Sequence, residues 1–240
     1  MPRLFPDPVG GGLMVVFGTG KYLAGSDNLI DNSTQQQAVY GIRDSGSAGQ
    51  AVVVEGAAAT PLVEQTMIER DAVRGLTHHA VPVREAAVGN LAGTPIRGWF
   101  FKLYAADTTT SGQVDKGERV VVDATGLFDT NRAIITTLIP QGSDPCAPAA
   151  RGAVMLVDAA TGGAADGVNL GSVGNWPDAY KQVGALVKNP PTGGSLPAAV
   201  AVGGGQIHLP GVTRQRDGKT FSAGAPIWRR RSWRVLNNDL

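Results

Sequence analysis

Brief apolar runs parted by polar, glycine-rich stretches set the pattern of this chain, and no long segment keeps apolar residues at helical spacing. Leu13–Phe17, Ala38–Arg43 and Ala51–Glu55 are short and apolar. Between the first two, the chain breaks at Gly18-Thr19-Gly20 and crosses a polar loop of Asp, Asn, Ser and Thr. That order reads as strand, turn, loop, strand. Thr60–Val73 mixes Leu62, Val63, Met67, Ile68 and Val73 with charges; it suits a helix turn or a long strand, and strand is preferred. Gly98–Tyr104 is rich in aromatic residues, which suit a pleated, half-buried surface. Glu118–Asp123 holds three consecutive valines, and Ala133–Ile139 is rich in β-branched residues. Ala153–Val157 and Ala198–Val202 are small apolar strands, and Ile227–Leu236 alternates apolar residues with Arg. Roughly ten strands at this spacing suit meandering sheets. The stretch 160–195 is rich in Gly, Asn and Pro and is expected to be a long surface loop, with one weak strand near Trp176 and Tyr180.

Composition agrees with an all-β domain. The 240 residues are 42% hydrophobic, enough for a core, and include 33 Gly and 15 Pro. That Gly and Pro usage is above average but short of low-complexity disorder, and it suits many strands joined by tight turns. A net charge of +1 gives no bulk field toward nucleic acid or a membrane surface. No apolar run reaches the ~18 residues that would span a bilayer. The N-terminus, Met1-Pro2-Arg3-Leu4-Phe5-Pro6-Asp7-Pro8, lacks the charged lead and apolar stretch of a signal peptide. Cys146 has no partner cysteine in the chain, so it is read as a free thiol or as half of a bridge to another chain.

Five groups of residues then carry a resemblance. They are Phe17-Gly18-Thr19-Gly20-Lys21-Tyr22-Leu23; Ser33-Thr34-Gln35 ahead of Tyr40-Gly41-Ile42-Arg43-Asp44; and Gly98-Trp99-Phe100 with Gly117-Glu118-Arg119-Val120-Val121. The fourth group is Thr136-Thr137-Leu138-Ile139-Pro140, Asp144-Pro145-Cys146 and Met155 to Gly163; the last is Ser232-Trp233-Arg234. In this order they resemble the C-terminal β-propeller of the PilY/PilC family, which is associated with the tip and assembly of bacterial type IV pili. The resemblance implies an all-β, partial propeller of four-stranded antiparallel blades over residues 1–240. It implies a non-enzymatic role in pilus biogenesis and surface adhesion, with minor pilins, the pilus tip and surface or host ligands as partners. The implied location is the cell surface, fimbrium or outer membrane. Family members are long and carry an Asp-rich calcium loop upstream of the Phe-Gly-Thr-Gly motif. This chain starts just before that motif, so it is expected to be a C-terminal portion with no cofactor in this segment. Ten strands make two to three blades, fewer than the usual four to eight, and such a piece is expected to be marginally stable or to associate with another chain.

Local chemistry of the motifs is structural. Gly18 and Gly20 admit a turn, Trp99 and Phe100 supply buried area, and Glu118-Arg119 suits a charged pair at a strand start. Asp158 before Thr161-Gly162-Gly163 suits a capped turn. One metal-loop spacing stands out. Asp107, Thr109, Ser111, Asp115 and Glu118 occupy positions one, three, five, nine and twelve of an EF-hand-like calcium loop, with Gly112 sixth. Hydroxyls at the third and fifth positions, Lys116 and the lack of flanking helices favour a polar hairpin instead. Gly18-Thr19-Gly20-Lys21 lacks P-loop spacing, and Tyr22 stands where a magnesium-binding hydroxyl belongs. His78 and His79 would face opposite sides of a strand, His208 stands alone, and no Gly-x-Ser-x-Gly occurs. Arg229-Arg230-Arg231 between Trp228 and Trp233 is read as a solvated edge strand and not a nucleic-acid surface. A quinoprotein-like propeller enzyme and a non-functional truncated remnant are the alternatives. The first needs acids, a basic residue and a metal site converging on the ring axis.

Overall fold

The computed structural model describes residues 2–8, 12–20, 36–44, 46, 62–70, 73–77, 97–103, 105–107, 112–114, 117–126, 131–140, 152–164, 180–187, 200–202, 206–208 and 220–222. Sixteen strands and no helix lie among these residues. They are β1 (Arg3–Pro6), β2 (Leu13–Gly18), β3 (Ala38–Asp44), β4 (Val63–Glu64), β5 (Met67–Arg70), β6 (Val73–Thr77), β7 (Gly98–Lys102) and β8 (Ala105–Asp107). There follow β9 (Gly112–Val114), β10 (Thr125–Gly126), β11 (Arg132–Thr136), β12 (Gly152–Asp158), β13 (Tyr180–Val187), β14 (Val200–Val202), β15 (Gln206–His208) and β16 (Thr220–Ser222).

Three sheets form. The first runs β1-β2-β3-β7-β4, the second β10-β11-β12-β13-β6-β5-β8-β9, and the third β14-β15-β16. All neighbours are antiparallel except β4 with β7 and β5 with β8. Two runs, β1-β2-β3-β7 and β10-β11-β12-β13, have the four antiparallel strands expected of a blade. Beyond these two runs, the described strands do not divide into separate four-stranded blades. A parallel fifth strand extends the first sheet, four more strands extend the second, and no sheet closes among the described residues. The cause lies in the excursion between β3 and β7. Its hairpin β5–β6 pairs with β13, from Tyr180 opposite Thr77 to Ala185 opposite Val73. It thereby covers the edge that a separate blade would leave open.

Three local expectations also change. Thr60–Val73 is not one long strand but holds β4 and β5 and the start of β6. The 160–195 stretch contains the eight-residue β13, which is interior to the second sheet and carries the fully buried Val183. Glu118–Asp123 is not a strand despite its valines. Arg119 makes an isolated bridge to Leu138, while the next residue, Val120, donates its N–H to Thr19, just past the end of β2. A segment shared between two sheets in successive residues cannot form a ladder with either. Ala51–Glu55 and Ile227–Leu236 lie outside the described residues.

The core sits between the first two sheets. Met14, Val16, Val39, Trp99 and Phe101 of the first share one buried cluster with Ala133, Ile135, Met155 and Val157 of the second. β12 is buried along Gly152–Val157, which explains why Ala153–Val157 reads as an unbroken apolar run and not an alternating one. On the opposite face of the first sheet Phe17, Tyr40 and Phe100 stack in a row, with centroids 5.5 and 6.0 Å apart. Leu4 and Leu13 on this face are exposed.

Candidate functional site

The residue groups singled out in the sequence meet where the first two sheets join. At the end of β2, the Thr19 hydroxyl accepts the Ala38 N–H at 2.8 Å, and the Thr19 N–H donates to the Ala38 carbonyl at 2.8 Å. Val120 then donates to the Thr19 carbonyl at 3.0 Å. Glycine is required beside this contact. A Cβ on Gly18 would lie 2.3 Å from the Val120 Cβ, and one on Gly20, at φ +142°, would lie 2.6 Å from the Arg119 Cβ. Thus Gly18-Thr19-Gly20 and Gly117–Val121 are two halves of one contact, about a hundred residues apart in a fold dominated by non-local pairing.

Glu118 is buried in the same segment. The Thr137 hydroxyl donates to its carboxylate, and the same hydroxyl accepts the Ala153 N–H at 3.1 Å. Arg119 donates from Nε to the Gly117 carbonyl at 3.0 Å. A depression of about 220 Å³ opens beside this junction, between Phe17, Gly18 and Gly20 on one side and Val120 to Ala124 on the other. Asp123 brings the one ionisable side chain among its described lining residues.

A second contact fixes Trp99. Its indole lies between Gly41 and Gly162: a Cβ on Gly41 would fall 2.1 Å from Cε2, and one on Gly162 2.2 Å from Cδ2. Nε1 donates to the Ala159 carbonyl at 2.9 Å, and the ring stacks on Phe101 with centroids 6.0 Å apart. The turn that presents Ala159 and Gly162 is held by Asp158. Its Oδ1 accepts the N–H groups of Ala160 at 2.8 Å and Thr161 at 3.0 Å, and Gly162 takes φ +68°. Gln65 closes the turn from outside, donating Nε2 to the Thr161 carbonyl at 2.8 Å.

The candidate metal loop is only partly in view. Asp107 ends β8 and pairs with Gly112 of β9, so the first and sixth positions face each other across a hairpin. Glu118 is directed to Thr137 in the junction. Thr109, Ser111 and Asp115 lie outside the described residues, as do His78, His79, Cys146, Ser33–Gln35, Asp144–Pro145, Arg229–Arg231 and Ser232–Arg234. Among the described residues, no three His, Cys, Asp or Glu side chains converge to hold a metal. The same residues contain no helix long and apolar enough to cross a membrane.

Sequence reasoning missed Gly162 as a packing surface for Trp99, the role of Thr137, and an ion pair between Arg43 Nε and Asp7 Oδ2 at 2.7 Å. Gly41 left a signal, since glycine inside an apolar strand marks close approach by another group. Arg43 and Asp7 left none, because Arg43 reads only as the end of a strand and Asp7 only as part of the proline-rich N-terminal stretch.

No protein-family model matches the chain. It is similar to the type IV pilus biogenesis factor PilY1 homolog of Xylella fastidiosa, 31% identical over 186 residues that make up 72% of this chain and 11% of that protein. It is 28% identical over 173 residues to type IV pilus biogenesis factor PilY1 of Pseudomonas aeruginosa, covering 68% of this chain and 14% of that protein. The chain therefore spans little more than a tenth of the length of these relatives. In fold it matches the crystal structure of the Pseudomonas aeruginosa PilY1 C-terminal domain with a TM-score of 0.58 and 20% identity, over 92% of this chain and 43% of that one.

Proposed function

From a chain that is a relative of the type IV pilus biogenesis factor PilY1 and shares the fold of a PilY1 C-terminal domain, we propose a non-enzymatic scaffold for type IV pilus biogenesis and surface adhesion. The observation that carries the reading is the extent of the match, 72% of the chain at 31% identity. The residues behind the resemblance support it. Gly18, Gly41, Trp99, Glu118, Thr137, Asp158 and Gly162 are used in joining two sheets. A scaffold needs such residues rigid and buried, and leaves recognition to loops and outer faces. Its partners are pilus proteins, minor pilins and the pilus tip, and its place is the cell surface. No cofactor is assigned to this segment.

The test is a count of surface pili, with twitching motility, in a strain deleted for this reading frame. One arm is complemented by the chain alone and another by the chain with the sequence encoded immediately upstream. Loss of pili, restored in either arm, is the expected result. Unchanged piliation and motility after deletion would end the pilus reading.

A further inference from the structure

Two arginines and one acid lie at the end of the first sheet where β3 and β7 run side by side. Arg43 stands on the same face of β3 as Val39 and Gly41, and its register partner on β2 is the fully buried Met14. Its side chain is only 10% exposed, rare for arginine unless it is paired. Asp7, whose side chain is fully enclosed, brings Oδ2 within 2.7 Å of Nε as a charge contact without hydrogen-bond geometry. The β1–β2 turn places that carboxylate, with the Asp7 N–H donating to the Gly12 carbonyl at 2.9 Å. Arg97 is the neighbour across the strands, its carbonyl accepting the Arg43 N–H at 2.8 Å.

Nη2 of Arg43 and Nε of Arg97 are both buried without a hydrogen-bond partner. Neither polar atom of the Asn131 side chain has one. Asn131 is linked to this corner through Ala159, which donates its N–H to the Asn131 carbonyl and accepts the indole of Trp99, two residues after Arg97. Asp44 does not balance the charge from its own strand. It stands on the opposite face of β3, is exposed, and accepts the Gly46 N–H at 2.8 Å.

Guanidinium groups stay charged in proteins. Among the described residues, two of them stand against the single carboxylate seen to engage Arg43, which leaves one positive charge over there, with donors out of water. Unmade bonds to a buried charge are costly. Water would satisfy the donors and leave the charge. A carboxylate, phosphate or sulfate would satisfy both, since guanidinium N–H groups match paired oxygens. We propose that this corner is a binding site for one oxyanion, with Arg43 Nη2 and Arg97 Nε as donors and Asp7 fixing the Arg43 fork so that Nη2 faces the ligand. The proposal does not depend on the pilus reading.

The test is equilibrium dialysis of the full chain against radiolabelled sulfate at constant ionic strength set with chloride. The wild type, Arg97→Gln and Arg97→Lys are compared, each checked for native circular dichroism. One saturable sulfate per chain is expected. Loss of a charged donor should weaken it roughly tenfold in Arg97→Gln, and Arg97→Lys should recover part of the loss by keeping the charge without the fork. Should Arg97→Gln fail to fold, Arg97→Lys alone decides, by binding more weakly than the wild type. Competition by acetate would point to a carboxylate as the natural occupant, and competition by phosphate alone to a tetrahedral anion. No saturable uptake, or equal uptake by wild type and both variants, would mean an adventitious ion only and overturn the site.

Discussion

The indole of Trp99 donates its Nε1 hydrogen to the carbonyl of Ala159 at 2.9 Å, a bond between residues 60 apart in the chain that ties the first sheet to the turn after β12. The ring is fully buried, so its removal takes away both area and the bond. Trp99→Ala should destabilise by about 3–5 kcal/mol, as large aromatic truncations do. Trp99→Phe keeps much of the ring but leaves the Ala159 carbonyl unpaired, an expected loss of about 1–3 kcal/mol. Urea unfolding followed by circular dichroism measures both. A Trp99→Phe variant as stable as the wild type would show that the bond contributes nothing.

Three glycines separate space from backbone conformation. Gly41→Ala places a methyl group inside the Trp99 ring, and Gly162→Ala does so at φ +68° as well. Overpacking of this kind is expected to cost about 1–3 kcal/mol, with Gly162→Ala the worse by the left-handed backbone penalty of about 1 kcal/mol. Gly46 has φ +72° and nothing within 4 Å of an added Cβ. Gly46→Ala should therefore lose only about 1 kcal/mol. The ranking Gly162, Gly41, Gly46 in melting temperature is the check, and an equal loss at all three would refute the packing argument.

What the sequence showed and what it hid follow from how local each feature is. Leu13–Phe17, Ala38–Arg43 and Ala153–Val157 were legible because apolar pattern and strand agree within five or six residues. Sheet order was not legible, since the pairing of β6 with β13 joins residues about a hundred apart and no local pattern encodes it. The valines of Glu118–Asp123 gave a false strand. Their β propensity is real, but the bonding partners, Leu138 and Thr19, lie just past strands of two different sheets. β13 was read only as a weak strand because Gly, Asn and Pro around it suggest a loop, whereas its place between β12 and β6 supplies the partners its composition does not advertise. The site residues divide the same way. Trp99 and Asp158 announce their roles by type, while Thr137 and Gly162 matter only through what packs on them.

Thr137 links Glu118 to β12, donating to the buried carboxylate and accepting the Ala153 N–H. Thr137→Val keeps the shape and removes both bonds. The expected loss is about 2–3 kcal/mol, because one partner is a carboxylate and a buried N–H is also left unmade. Thr137→Ser retains the hydroxyl and should recover most of it. Paired unfolding curves of the two variants decide. A Thr137→Ser variant as destabilised as Thr137→Val would show that keeping the hydroxyl recovers nothing, and would count against the hydrogen bonds as the source of the loss.

Asp7 and Arg43 form an enclosed ion pair that joins the β1–β2 turn to β3. Asp7→Ala strands the guanidinium in the interior, and breaking such a pair from one side should cost about 3–5 kcal/mol. Replacing both partners with apolar residues, Asp7→Leu with Arg43→Met, removes the buried charge together with its counter-charge. The double variant should then be more stable than Asp7→Ala, although it carries one more substitution, and that reversal is the signature of charge burial as opposed to lost contacts. Chemical denaturation of the single and double variants at one ionic strength reads it directly. A double variant less stable than Asp7→Ala by the full Arg43→Met penalty would show that the two residues act independently.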